Sequence, residues 1–383
     1  MRHNNMKNHL QDMFISDFNF ITKAIHDFVK LKLPQFIKYE NPYIFNILEK
    51  KLLDISSEAI SSNAKRLRPL ICIWVLRNYY LSGDFSSHLS DLSSEKAKIV
   101  NKILNIAIII EILHSASLVI DDIEDGSLER RGKKSMHVQY GMPHALNCAN
   151  WMYFLVFKML PKNLVELCYS TLFDCHIGQA LDLNSNNFGD NAEMFLNNSE
   201  NRWTYYNKCA ELKTSRLIIF SFDCLKEILN LNDDLLFKLR KIFMEYGVIY
   251  QIFDDIKNLI PDISFGKIYE DLNYGIRSSV VLTFLDILSE QNSQEALKVL
   301  FSKNFKKYFL EHEKRNLAII SCYNNAKNML SLNSNSLYSL CLCDKSKDYL
   351  SKIIENPFNN ININSAINPC KYTHNLQEEI IYE

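Results

Sequence analysis

The chain has 383 residues, 47% of them hydrophobic, enough to bury a large core. Its 43 basic and 44 acidic residues leave a formal net charge of −1, so nothing in the whole-chain balance attracts nucleic acid or an anionic membrane, and any affinity for phosphate has to be local. Ten cysteines lie without a regular framework and the first residues carry neither a hydrophobic leader core nor a transit-peptide pattern, so a reducing compartment, the cytosol, is expected.

Nine glycines and eight prolines are too few for a chain of strands and turns, and long apolar-periodic stretches dominate instead. The expected fold is therefore all-α, one helical bundle around a deep apolar cavity spanning 41–355. Residues 1–40 are expected to form an extra helix or mobile arm, and 356–383 an Asn-rich tail. Within the bundle, a helix over 44–60 runs into the basic turn SNAKRLRP, and a buried helix over 69–79 follows. A polar loop covers 80–96. Further helices are placed at 98–125, 143–158, 163–183, 192–206, 207–229, 233–257 and 276–290, with weaker helical patterns near 293–311, 313–331 and 345–355.

The basic turn puts Lys65, Arg66 and Arg68 within four residues. Alone it reads as a charged surface turn. The apolar run 103–120 is nearly long enough to cross a bilayer. Asn105, Glu111 and His114 interrupt it, and it ends in Asp121 and Asp122, so it reads as a central core helix rather than a membrane span. Asp121 and Asp125 lie one helical turn apart with Asp122 beside them, and Arg130 and Arg131 follow. Clustered hard oxygens suit Mg²⁺, which takes one or two carboxylates and completes its shell with water and substrate phosphate. Guanidinium groups suit phosphate oxygens. A solvated acidic face is the ordinary alternative, but YQIFDDIKNL repeats the pattern with Asp254 and Asp255, and the two clusters are expected to face one cleft.

His114 is two turns before Asp121 and is either a diphosphate ligand or a core histidine. Lys213, Thr214 and Lys267 sit on apolar or turn-rich segments where a cation needs a partner such as diphosphate. Gln251, one turn before Asp254, can aim a dipole at a developing cation. Two acidic walls, a metal-free basic pocket and an apolar interior point to prenyl transfer, with metal-bound diphosphate leaving and an alkene attacking the carbocation.

From about Asn63 to Ile287 the chain resembles the trans-isoprenyl diphosphate synthases, the family of farnesyl and geranylgeranyl diphosphate synthases. The resemblance is carried by the DDxxD pattern of Asp121, Asp122 and Asp125 followed by Arg130 and Arg131, and VIDDIED with the following RRG, GQALDL at 178–183 and KT at 213–214 look most like the eukaryotic geranylgeranyl branch. It implies that Asp121, Asp125 and Asp254 bind Mg²⁺, with Mn²⁺ as a substitute, in a cluster of about three ions. Asp122 and Asp255 would act more through water and metal-bound contacts. It further implies that Arg130, Lys213 and Lys267 hold an allylic diphosphate, while Lys65, Arg68, His114 and Arg131 hold isopentenyl diphosphate. Thr214 and Gln251 would stabilise the allylic cation. A homodimer is implied as well.

The chain departs from the family pattern at Asn63-Ala64, at Phe253 and at Ile276, where the neighbouring Arg277 is expected to substitute for the usual lysine. Product length is expected from the small Ala116 and Ser117 below the first motif, which would let a C15 chain pass. A deeper floor of Tyr153, Phe154 and His176 would then stop growth at C20, unless these are ordinary core aromatics. A class I terpene cyclase lacks the need for Lys65 and Arg68 and has a different second metal motif. A non-catalytic synthase subunit often loses one aspartate motif, and both are present.

Overall fold

The computed structural model describes residues 2–37, 39–62, 64–184, 198–260, 268–273, 278–300, 304–355, 357–359 and 361–367. Apart from one two-residue hairpin, every regular element among them is helical. Two units emerge, the first comprising 1–173, 216–243 and 334–359, and the second 174–215, 244–333 and 360–383.

The first unit is built around α5 (Ser94–Glu124), which packs against α4 (Leu67–Val75), α7 (Met142–Met159) and α10 (Arg216–Leu229). The apolar run identified in the sequence is its core: Ile103, Ile106, Ile109, Ile110, Ile112, Leu113 and Ala116 are all 2% exposed or less. A helix apolar on several sides needs neighbours on several sides, and these three supply them. The N-terminal α1 (Arg2–Asp27) is docked here through Met13, Ile21 and Ile25. Its Asp17 is buried, accepting from Arg77 at 2.6 and 2.7 Å and from the Tyr349 hydroxyl of α15 (Asp344–Ile354) at 2.8 Å.

The second unit contains α9 (Ser199–Ala210), a wide π-helical turn Glu211–Ser215, the later part of α11 (Asp233–Asn258), α12 (Ser279–Leu300) and α13 (Phe305–Glu311). Asp286 of α12 ties α9 down by accepting from Ser199 Oγ at 2.8 Å, Trp203 Nε1 at 2.7 Å and the buried Arg202. The helix expected over 207–229 is interrupted by the π turn, and the stretch expected as 276–290 extends to Leu300.

Candidate active site

In the first unit, the last turn of α5 presents Asp121, Asp122 and Asp125, with Asp125 ending the helix. The following hairpin, β1 (Glu129–Arg130) and β2 (Lys133–Lys134), turns through Arg131 and Gly132 at φ 55° and 76°. Two consecutive positive φ angles match the twist of a tight hairpin. The hairpin was not legible in the sequence, and it separates the arginine pair. Arg130 Nε donates to both oxygens of Asp122 at 2.8 and 3.0 Å, and Nη2 donates to Asp121 at 2.9 Å, whereas Arg131 donates to Ser62 Oγ at 2.7 Å. Asp122 is 3% exposed, so its charge is held by Arg130, while Asp121 and Asp125 are more accessible.

The basic turn owes its shape to Arg66, the residue of that turn that was given no role. It adopts φ 52°, and its buried guanidinium donates to Glu111 at 2.5 Å, Ile60 O at 3.1 Å and Ser62 O at 3.2 Å. A left-handed arginine is costly, and three acceptors hold it. Lys65 is thereby left exposed and Arg68 enters the first turn of α4. Burial and the charges of Arg68, Arg131 and Arg130 keep the His114 imidazole well below its ordinary pKa, with Asp121 opposing weakly. Arg68, His114 and Arg131 therefore lie close enough to interact through their charges.

In the second unit, the π turn carries Lys213 and Thr214. Lys213 Nζ is 2.6 Å from Asp182, and Thr214 Oγ1 donates to Gln251 Oε1 at 2.9 Å. Two glycines permit this turn to sit where it does. A Cβ on Gly178 would lie 2.6 Å from Lys213 N, and one on Gly247 would lie 2.1 Å from Ser215 Oγ and 2.8 Å from its Cα. Glycine inside helices, in a chain with only nine, was the available signal for this close approach. Asp254 is exposed, with Lys257 at 3.5 Å. Asp255 is 2% exposed and accepts from Tyr206 Oη at 2.6 Å, Ser279 N at 2.8 Å and Gln251 Nε2 at 3.1 Å. Burial raises its carboxyl to about 6 although these hydrogen bonds oppose the shift. Of the two second-motif aspartates, then, the geometry leaves Asp254 available to a cation and commits Asp255, expected among the metal residues, to its neighbours.

Among the described residues no three of His, Cys, Asp and Glu gather into a ready-made metal cage.

The sequence profile of the polyprenyl synthetase family matches residues 49–313, most of the chain. The chain belongs to the polyprenyl synthetase family. It is 32% identical to geranylgeranyl pyrophosphate synthase paxG of Penicillium paxilli over 224 residues, 54% of this chain and 55% of that protein, so it spans about half of that relative. Over 312 residues, 78% of this chain and 83% of the other, it is 28% identical to geranylgeranyl diphosphate synthase of Saccharolobus solfataricus. A solved polyprenyl synthase from Caulobacter crescentus, complexed with calcium and isoprenyl diphosphate, shares the fold at TM-score 0.63 and 16% identity, covering 91% of this chain and 96% of its own.

The residues expected to set product length differ in where the helices place them. Ala116 is fully buried, and Ser117 donates to His114 O at 2.9 Å. Tyr153 is half-buried, but Phe154 is 71% exposed and His176 is exposed. The cause is helical phase. Met152, Leu155 and Val156 take the inward face of α7, and Phe154 lies about 200° around the helix from Met152. Gly178 and Asp182 take the inward face on the second unit's part of α8 (Lys162–Leu183), leaving His176 outside. Lys267, Asn63, Ile276 and Arg277 lie outside the described residues.

Proposed function

We propose that this chain is a Mg²⁺-dependent prenyltransferase that condenses isopentenyl diphosphate with dimethylallyl, geranyl or farnesyl diphosphate, with geranylgeranyl diphosphate as main product. The observation that carries the reading lies within the first unit: the aspartate-bearing end of α5 beside a metal-free basic group of Arg68, His114 and Arg131. One feature suits a metal-borne diphosphate and the other a diphosphate bound by cations alone.

Asp121, Asp125 and Asp254 would hold Mg²⁺, which would supply positive charge to a departing diphosphate. Lys65, Arg68 and Arg131 hold isopentenyl diphosphate by charge, and the neutral His114 adds a hydrogen bond without further crowding of positive charge. Arg130, Lys213 and Lys267 hold the allylic diphosphate, with Arg130 and Lys213 giving up part of their pairing to carboxylates on binding. Thr214 and Gln251 turn oxygen dipoles toward the allylic cation. The released diphosphate removes the final proton. A C20 product is favoured by the relatives named above and by the small, buried Ala116, which does not stop a C15 chain.

A second copy of the chain is proposed to cover the apolar residues that α7 and α8 leave exposed in the first unit. Met142, Leu146 and Phe154 recur along one face of α7, and Tyr169 and Phe173 stand one turn apart on α8. Light scattering coupled to gel filtration should give a dimer, and Phe154→Glu should shift it toward monomer. The cytosol is the proposed location.

The chemistry is tested by incubating labelled isopentenyl diphosphate with each allylic starter, with and without Mg²⁺, and resolving products by carbon number. A dominant C20 product is expected. Chains beyond C20 would keep the reaction and remove the product assignment, and no incorporation with any starter would remove the reaction. Asp121→Ala and Asp254→Ala should each abolish turnover while leaving the helical spectrum intact.

A further inference from the structure

We propose that Tyr206 and the backbone N–H of Ser279 are positioning groups that act through Asp255 and Gln251 to set the direction of the Thr214 hydroxyl. The inference rests on the prenyl-transfer reading above and adds to it two groups that never touch substrate.

The hydrogen bonds run in one direction. Asp255 Oδ2 accepts from Tyr206 Oη at 2.6 Å and from Ser279 N at 2.8 Å. Its Oδ1 faces Gln251 Nε2 at 3.1 Å. A carboxylate only accepts, so it selects the amide nitrogen of Gln251 and turns the amide oxygen the other way. That oxygen is 2.9 Å from Thr214 Oγ1. An amide oxygen also only accepts, so the threonine must donate. Once its proton points at Gln251, the lone pairs of Thr214 Oγ1 point elsewhere, and a cation forming near the π turn meets an oxygen that cannot present its hydrogen. Without the chain of donors the hydroxyl rotates freely and the amide can flip.

The components suit this task. Tyr206 and Asp255 are 3% and 2% exposed, so water does not compete for the anchoring bond. Thr214 is itself buried at 9% exposure, and Gln251 is partly exposed. Gly247 lets α11 approach Ser215, the residue next to Thr214, closely enough for the bond to form. The four residues come from α9, the π turn and α11, with the backbone donor at the start of α12, so four separate segments converge on one hydroxyl orientation.

The test is a kinetic double-mutant cycle on the full-length protein with isopentenyl and farnesyl diphosphates. Tyr206→Phe should lower kcat by roughly ten-fold, the scale of a slightly misplaced reacting group, with KM for both diphosphates within about two-fold. Thr214→Ser should retain most activity and Thr214→Val should lose more than Tyr206→Phe. The double variant Tyr206→Phe/Thr214→Val should be no slower than Thr214→Val alone, because the tyrosine acts only through the hydroxyl. Losses that multiply, or a Tyr206→Phe enzyme whose melting temperature falls while kcat is unchanged, would overturn the inference and leave prenyl transfer standing. If Tyr206→Phe does not fold, Gln251→Met replaces it in the same cycle with the same expectations. Absence of turnover in the unmodified protein would instead overturn the prenyl-transfer reading itself.

Discussion

The two aspartate motifs share a spacing and differ in how they treat the middle carboxylate. In the first, Asp122 is neutralised by a guanidinium that also reaches Asp121. In the second, Asp255 is surrounded by a phenol, an amide and a backbone N–H, none of them charged. A salt bridge suits a motif that must loosen when a doubly charged ligand arrives, because the ligand can take over the arginine. A carboxylate held by neutral donors has no such exchange open to it and suits a rigid support. Identical letters in the sequence thus serve one adaptable region and one fixed region.

The sharpest way to break the contrast is at the rigid side. Gly247→Ala places a methyl group against the Ser215 backbone and should cost about 3 kcal/mol in urea unfolding while displacing Thr214 enough to silence turnover. On the adaptable side, Arg130→Met leaves Asp122 buried without its cation. Because Arg130 is 26% exposed, the loss should be about 2 kcal/mol, less than for a fully buried pair. Tyr206→Phe removes one of three donors to Asp255 and should cost only about 1 kcal/mol, so its effect on kcat is not a by-product of unfolding. The smallest effect concerns pH. The folded state holds His114 neutral, whereas the unfolded chain takes up a proton below its ordinary value of 6.5. Stability should therefore fall as pH drops below 6.5, and His114→Gln should flatten that slope in pH-resolved melting curves.

The helical fold, both aspartate clusters and the grouping of Arg68, His114 and Arg131 were legible in the sequence because helical periodicity and charge spacing are local. Residues whose roles depend on partners far along the chain were not. Arg66 reads as one more cation in a basic turn until Glu111 is seen 45 residues away. Tyr206 reads as a helix aromatic until Asp255 is found 49 residues on. Phe154 differs for another reason: Met152, Leu155 and Val156 take the inward face of α7, and a floor position read by resemblance carries no information about helical phase.

The buried Asp17, Arg77 and Tyr349 carry a consequence for biosynthesis. Asp17 and Tyr349 are 332 positions apart, so the phenol that completes this cluster leaves the ribosome long after Asp17 does. At typical synthesis rates of about 5–20 residues per second, α1 waits on the order of tens of seconds for its last partner. During that interval Met13, Ile21 and Ile25 depend on the earlier helices alone, which makes the N-terminal helix a natural client for chaperones. Shortening the chain before Tyr349 should accordingly yield a protein that aggregates as it is synthesised, rather than one that folds and merely lacks its last helices.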